Sequence, residues 1–208
     1  MTIVAAMSFE DHFLIAADSK VGQLGLTWST CKLYHIAKPP LAWGFAGELG
    51  VGREFSDWLS GYNWKPDIDW YKLRDDSAIK LGELNKKHRH FITNSGSRPT
   101  KKDLTSVLIV GYINEIPEIL QIAGTGDWRF HKNPDNFAAI GTGDPYIQVV
   151  RYTLEMYWEI FLKRSLVYDV ETFKFIVERA VERDPDSGFS IQNPMQMWKV
   201  MKDEVILV

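Results

Sequence analysis

Residues 2–19 read TIVAAMSFEDHFLIAADS, in which two short apolar runs lie on either side of a largely polar segment at 9–12. Both runs are continuously apolar, without the alternation of polar and apolar residues that a half-exposed strand shows. Continuous apolar runs of this length are typical of strands that are covered on both faces. The segment between them favours a tight connection. The sequence therefore predicts a buried β-hairpin formed by residues 2–8 and 13–19.

The rest of the chain favours strands and helices in blocks. A second strand pair is predicted at 26–36 and 41–46, with Pro39 and Pro40 at the turn between them. The predicted helices cover 48–59, 69–92, 145–163 and 170–182, and the further predicted strands cover 104–112, 118–123, 128–130, 137–140 and an extended end from 189. Because the blocks do not alternate, two antiparallel sheets with paired helices outside are favoured over a doubly wound parallel sheet. We expect a single α+β domain over residues 1–208.

The composition excludes several classes of protein. The chain has 208 residues, of which 45% are hydrophobic and 25% charged, and this excludes a wholly disordered chain and a fibrous one. A net charge of −3 gives no electrostatic case for binding nucleic acid or a membrane surface. The single cysteine, Cys31, allows no intrachain disulfide. No apolar run has the length of a membrane span and no signal peptide is recognisable, so we expect a cytoplasmic protein.

Three residues near the N-terminus could form a nucleophilic site. Thr2 opens the first predicted strand, Asp18 closes the second and Lys32 lies in the third, so antiparallel pairing could bring them to one end of a sheet. A carboxylate that follows an apolar run, as Asp18 does, needs a partner such as Lys32. A threonine hydroxyl needs a nearby base. If Met1 is removed, the amine of Thr2, with an ordinary pKa of about 8, could be that base.

Taken singly, each of these residues also fits an ordinary structural role, but further motifs follow them in order along the chain. The motifs are Thr2-Ile3-Val4, Ala16-Ala17-Asp18-Ser19, Lys32-Leu33-Tyr34-His35-Ile36, Ala46-Gly47, the run from Ala139 to Tyr146, and Asp184-Pro185-Asp186-Ser187-Gly188. Together they resemble the proteasome β-subunit and HslV family of N-terminal threonine proteases over nearly the whole chain. The segment between Asp18 and Lys32 is about two residues shorter than is usual in that family.

The resemblance implies a four-layer αββα fold and a threonine-type endopeptidase. It assigns Thr2 as the nucleophile, with its own amine as general base, and Lys32 and Asp18 as the residues that tune the pKa of both groups, the lysinium lowering it while Asp18 holds the lysinium in place. It assigns the backbone N–H of Gly47 to the oxyanion hole. Two further residues would hold the amine and a catalytic water, namely Asp184 and Ser187.

The resemblance also implies a substrate pocket and an assembly. The residues near the S1 pocket would be Val21, Thr30, Phe45 and Leu49. Such a pocket is apolar and would prefer hydrophobic P1 side chains of a polypeptide substrate, although for Phe45 a purely structural role in the core is an equal alternative. The chain would assemble with copies of itself into stacked hexameric or heptameric rings, with an ATPase unfoldase as a candidate partner. No cofactor or metal is implied.

Two features leave other functions open. Asp144 stands where the β-subunits have a serine and HslV a glycine, and it is also predicted to cap a helix that begins at Pro145. An extra acid would raise the pKa of the Thr2 amine, and a retained Met1 would bury that amine in a peptide bond. The alternatives are therefore a ring-forming scaffold without proteolysis and an N-terminal-nucleophile amidase that acts on small amides.

The helix predicted at 145–163 carries more aromatic residues than one helix face can bury in a monomer. They are Tyr146, Tyr152, Tyr157, Trp158 and Phe161. Because protein interfaces are enriched in aromatic side chains, we expect some of this set to contact another subunit.

Overall fold

Strands and helices follow one another in blocks along the described part of the chain. The structure, a computed structural model, describes residues 3–23, 26–93, 104–131, 136–142, 144–184 and 195–208, with the backbone alone at 20–23, 26–29 and 89–93. The strands are β1 (Ile3–Ser8), β2 (His12–Ala17), β3 (Lys20–Gln23), β4 (Leu26–Ser29), β5 (Leu33–Ile36), β6 (Leu41–Ala46), β7 (Ser106–Ile113), β8 (Ile116–Ile122), β9 (Trp128–His131), β10 (Phe137–Gly141), β11 (Gln196–Met201) and β12 (Val205–Leu207). The helices are α1 (Leu49–Ser60), α2 (Trp70–Thr93), α3 (Asp144–Ile160) and α4 (Val170–Arg183).

The strands form two antiparallel five-stranded sheets and a separate pair. Sheet 1 has the order β10-β1-β2-β11-β12, sheet 2 has the order β5-β6-β7-β8-β9, and β3 pairs with β4. The predicted N-terminal hairpin lies in the middle of sheet 1, where Val4 of β1 is opposite Ala17 of β2. Its connection is held by a hydrogen bond from the Phe9 N–H to the His12 C=O (2.8 Å).

The side chains of β1 alternate between two hydrophobic clusters. Ile3, Ala5 and Met7 pack with residues of α3 and α4, whereas Val4 and Ala6 pack against sheet 2. A third cluster fills the space between sheet 2 and the helices α1 and α2. The layers are therefore α3 with α4, sheet 1, sheet 2, and α1 with α2, which confirms the predicted four-layer αββα fold. Strand β1 is continuously apolar because both of its faces are buried.

Some boundaries differ from the sequence prediction. The single strand predicted at 26–36 is divided into β4 and β5, because β4 pairs with β3 whereas β5 joins sheet 2. Asp144 is the first residue of α3 rather than its cap, and the helix ends at Ile160, shortly before Lys163, whose φ is 53°. The C-terminal strands complete sheet 1, with β11 paired to β2. The extended segment predicted at 189–191 lies outside the described residues.

The outer face of α3 is apolar and exposed. Tyr152, Met156 and Tyr157 each expose half or more of their surface, and Phe161, which follows the helix, is 71% exposed. Tyr146, by contrast, packs against the cluster between sheet 1 and its helices. Part of the predicted aromatic set is therefore available for contact with another molecule. Among the described residues, no helix has the length and apolar character needed to cross a bilayer.

Candidate active site

A buried ion pair lies beside the first residue of β1. The Nζ of Lys32 is 2.9 Å from the Oδ1 of Asp18, and the two side chains are 1% and 0% exposed. The same Oδ1 accepts a hydrogen bond from the backbone N–H of Ile3 (2.8 Å). In return, the backbone N–H of Asp18 donates to the C=O of Ile3 (3.1 Å). The carboxylate is therefore fixed at the point where the first strand begins.

This ion pair connects the two sheets. Asp18 directly follows β2 of sheet 1, whereas Lys32 directly precedes β5 of sheet 2. The expectation that neighbouring strands of one sheet bring them together is wrong, because the chain leaves sheet 1 between the two residues. Enclosing two charges contributes little net stability compared with apolar residues of the same size. The enclosed pair at the start of β1 is therefore the candidate functional site of this fold.

Gln196 of β11 holds the backbone next to Lys32. Its Oε1 accepts hydrogen bonds from the backbone N–H groups of Lys32 (2.9 Å) and Leu33 (3.3 Å). Because β11 pairs with β2 and places Gln196 opposite Ala17, the side chain reaches from sheet 1 to the segment that enters sheet 2. Gln196 is not predicted from the sequence, since a lone glutamine far along the chain belongs to no motif.

The turn after β6 has a backbone conformation that favours glycine. Gly47 has φ of 130°, and a Cβ at this position would lie 2.6 Å from the Cα of Thr105. The next residue, Glu48, caps α1 by accepting a hydrogen bond from the backbone N–H of Val51 (2.7 Å). The backbone to which the resemblance assigns the oxyanion hole is therefore a closely packed turn that ends in a helix cap.

A hydroxyl and a carboxylate meet at the end of β10. The Oγ1 of Thr142 donates a hydrogen bond to the Oδ2 of Asp184 (3.0 Å), and Asp184, the C-cap of α4, is 3% exposed. Thr142 directly follows Gly141, which is opposite Ile3 in the pairing of β10 with β1. The Thr142–Asp184 pair therefore stands beside the same end of β1 as the Asp18–Lys32 pair.

Part of the predicted site is not described. Thr2 and Ser187 lie outside the described residues, and so does the side chain of Val21. Among the residues that are described, no group of three or more His, Cys, Asp or Glu side chains could hold a metal ion. What the structure brings together at one end of β1 is the ion pair and the Thr142–Asp184 pair.

The predicted pocket residues lie near the N-terminal end of α1. Phe45 is 3% exposed and packs in the cluster beneath α1, so close to Gly52 that a Cβ there would be 2.1 Å from the ring. Leu49, the first residue of α1, packs on the same cluster and is partly exposed. Thr30 is tied to α1 because its Oγ1 accepts a hydrogen bond from the Nη2 of Arg53 (3.3 Å). Phe45 is thus a core side chain by burial, with Leu49 beside it.

Asp144, the acid that departs from the family pattern, is partly buried at the start of α3. Burial raises the pKa of its carboxyl above the ordinary value, although the Nε2 of Gln148 donates a hydrogen bond to its Oδ1 (3.2 Å). A carboxyl whose pKa is raised in the folded state binds its proton more tightly there than in the unfolded chain. Its ionised form at neutral pH therefore lowers the free energy of unfolding.

We expect Asp144→Asn to raise the melting temperature at neutral pH. The gain should shrink as the pH falls through the raised pKa and should vanish well below the ordinary pKa of about 4, where the carboxyl is protonated in both states. Thermal unfolding of both proteins across this pH range measures the difference. A difference that does not change with pH would contradict the assignment, because a packing effect has no such dependence.

Comparison with known proteins decides the family. The model of the proteasome subunit family matches residues 1–193. The chain belongs to this family. No curated protein matches the chain at a significant level. This proteasome-family chain resembles solved structures in its fold, at sequence identities too low to carry over a function.

Two of these solved structures are Anbu proteins and one is an HslV. Anbu (ancestral beta-subunit) from Yersinia bercovieri is 12% identical with a TM-score of 0.73, over 99% of this chain and 86% of that chain. The Anbu complex from Pseudomonas aeruginosa, solved as a helical assembly, is 13% identical with a TM-score of 0.71 and the same coverage. Eukaryotic HslV from Trypanosoma brucei is 18% identical with a TM-score of 0.60, over 96% of this chain and 99% of that chain.

Proposed function

We propose that this proteasome-family chain is the subunit of a threonine-type endopeptidase, with Thr2 as the nucleophile once Met1 has been removed. The observation that carries the proposal is the enclosed Asp18–Lys32 pair beside the start of β1. A lysinium held next to the N-terminal residue lowers the pKa of the amine and of the hydroxyl there. Both groups then become more available, the amine as a base and the hydroxyl as a nucleophile.

In the proposed reaction, the Thr2 hydroxyl attacks the carbonyl carbon of a peptide bond and its proton passes to the Thr2 amine. The negative charge that develops on the carbonyl oxygen accepts a hydrogen bond from the Gly47 N–H. The C–N bond then breaks, the leaving nitrogen takes the proton from the amine, and an ester to Thr2 remains. Water, deprotonated by the same amine, hydrolyses the ester and restores the hydroxyl.

The residues around the nucleophile have supporting roles in this proposal. The Thr142–Asp184 pair and Ser187 orient the Thr2 amine. An amine at the free end of a strand needs such hydrogen-bond partners, because the backbone alone does not fix its direction. Substrate specificity follows from the apolar surface near α1, to which Phe45 and Leu49 contribute. We therefore expect cleavage after hydrophobic P1 residues. The substrates are polypeptides, the compartment is the cytoplasm, and an ATPase unfoldase is a candidate partner.

We further propose that copies of this chain assemble into stacked rings, hexameric or heptameric, through the apolar face of α3. The rings of Tyr157 and Phe161 are in contact, tilted by 30° with their centroids 5.3 Å apart, while the two residues expose 50% and 71% of their surface. An aromatic pair that is exposed in one copy resembles the buried core of a subunit interface. A second copy is the favoured occupant because the Anbu complex of similar fold forms an assembly.

We expect the variant with Tyr157→Glu and Phe161→Glu to form smaller particles than the wild type. Two carboxylates on this face would have to be desolvated in the interface, which opposes association. Sedimentation velocity measures the change, and Ile79→Glu on α2, at a side chain that is 63% exposed, is the matched control. A double variant that keeps the wild-type sedimentation coefficient would place the interface elsewhere.

The experiment that tests the proposed function is the hydrolysis of peptide amides with hydrophobic P1 residues by the assembled protein. Cleavage that depends on Thr2 supports an endopeptidase. A chain that assembles but cleaves neither peptides nor small amides would be a scaffold, and one that cleaves small amides alone would be an amidase.

A further inference from the structure

The turn at Gly47 is held by the side chain of Thr105, which is fully buried. Its Oγ1 accepts a hydrogen bond from the backbone N–H of Glu48 (2.9 Å) and donates one to the C=O of the same residue (3.3 Å). The pairing of β6 with β7 ends with Ala46 opposite Ser106. The Thr105 hydroxyl therefore extends the hydrogen bonding of these strands beyond their last register pair, into the turn.

Thr105 is itself fixed by Asn85 of α2, which is 7% exposed. The Oδ1 of Asn85 accepts a hydrogen bond from the Thr105 N–H (3.0 Å). Its Nδ2 donates to the Thr105 C=O (3.2 Å) and to the Gly124 C=O (3.3 Å). Because a backbone N–H only donates and a C=O only accepts, these partners also determine which amide atom is oxygen and which is nitrogen. The side chain thus pairs with Thr105 much as a neighbouring strand would.

This network holds the peptide plane that directly follows Gly47, through the Glu48 N–H. The Gly47 N–H belongs to the peptide plane between Ala46 and Gly47, and φ and ψ of Gly47 together set the orientation of that plane relative to the following one. Glycine reaches φ of 130° without strain, but it also reaches many other values. The residue type therefore permits the orientation without fixing it, and what fixes it is the contact of the following peptide plane with Thr105.

We infer that Thr105, held by Asn85, is a positioning residue for the oxyanion donor. Its hydroxyl keeps the Gly47 N–H aimed at the place where negative charge develops on the substrate carbonyl. The inference rests on the proposed function. A donor stabilises the transition state most when it needs no reorientation during the reaction. A loosely held donor stabilises the transition state less, whereas it changes the binding of the substrate little. Loss of the Thr105 hydroxyl should therefore lower kcat rather than raise KM.

The test compares Thr105→Val with Thr105→Ser in the assembled protein. Valine has the shape of threonine without the hydroxyl, whereas serine keeps the hydroxyl without the methyl group. For a peptide amide with a hydrophobic P1 residue, we expect valine to lower kcat by about 10- to 100-fold with KM nearly unchanged. Serine should restore most of kcat. Hydrogen exchange at the Glu48 N–H should become faster with valine and remain slow with serine.

Several outcomes would overturn the inference. A valine variant with the kcat of the wild type and faster exchange at Glu48 would show that the network does not position the donor. An equal loss of kcat in both variants would assign the effect to packing of the methyl group. If valine does not fold, Thr105→Ala replaces it, since alanine and serine differ by the oxygen alone. A wild-type protein without hydrolysis that depends on Thr2 would instead refute the proposed function, and this inference with it.

Discussion

Thr2→Ala is expected to reduce peptide hydrolysis to the rate measured without protein. Alanine at this position keeps a free amine after removal of Met1 but has no hydroxyl, so no acyl intermediate can form. The loss should appear in kcat, while binding of the peptide remains, because the pocket residues are unchanged. Release of a fluorescent leaving group from a peptide amide with a hydrophobic P1 residue measures it.

Thr2→Ser is the matched control for this prediction. Serine keeps a hydroxyl and an α-amine at the same position, and it is small enough for Met1 to be removed in the same way. We expect this variant to hydrolyse the same peptides at a measurable rate. Activity that survives in Thr2→Ala would mean that another group is the nucleophile, and the roles assigned to Lys32 and Asp18 would then be wrong.

Lys32→Met is expected to have the largest effect on stability and also to abolish hydrolysis. Methionine has nearly the length of lysine but no charge, so the Asp18 carboxylate, which is 0% exposed, would lose its charged partner. Removing one partner of a buried pair costs about 3–5 kcal/mol. For a chain of this length we expect the melting temperature to fall by roughly 10 °C. Thermal unfolding and peptide hydrolysis measure the two effects.

A second substitution separates the two effects of Lys32. Asp18→Asn in the Lys32→Met background removes the buried carboxylate charge that Lys32 balances in the wild type, and it keeps an acceptor for the Ile3 N–H. The double variant should regain most of the melting temperature and remain inactive. Lys72→Met is the matched surface control, because Lys72 lies 2.8 Å from Asp76 in an exposed pair whose loss should change little. Recovery of hydrolysis in the double variant would contradict the role of the lysinium.

The fold could be predicted from the sequence because its central elements carry strong patterns. The runs at 3–7 and 13–17 are continuously apolar since both faces of β1 and β2 are covered, and this alone indicates a middle layer. The division of 26–36 into β4 and β5 could not be predicted in this way. Strand propensity depends only on the residues within a segment. The division between β4 and β5 arises instead from their pairing partners, because β4 pairs with β3 whereas β5 joins sheet 2.

The candidate site could be predicted only in part. A carboxylate directly after an apolar run identifies Asp18, but that Lys32 approaches it from the other sheet depends on the tertiary structure. Thr105 forms side-chain hydrogen bonds to backbone across large sequence separations and belongs to no motif. Asn85 gives a weak signal, because it is a polar residue beside Leu84 and four residues after Leu81 on the buried face of α2. A polar side chain on the buried face of a helix is expected to form hydrogen bonds, and backbone groups are its most common partners.

The most direct test of Thr2 as an N-terminal nucleophile is the intact mass of the purified protein before and after treatment with an acylating β-lactone. We predict a chain without Met1 that gains one acyl group, located at Thr2 by fragmentation, while Thr2→Ala gains none. If every chain retains Met1 and no acyl group is added, Thr2 is not the nucleophile and the protein is not a threonine protease.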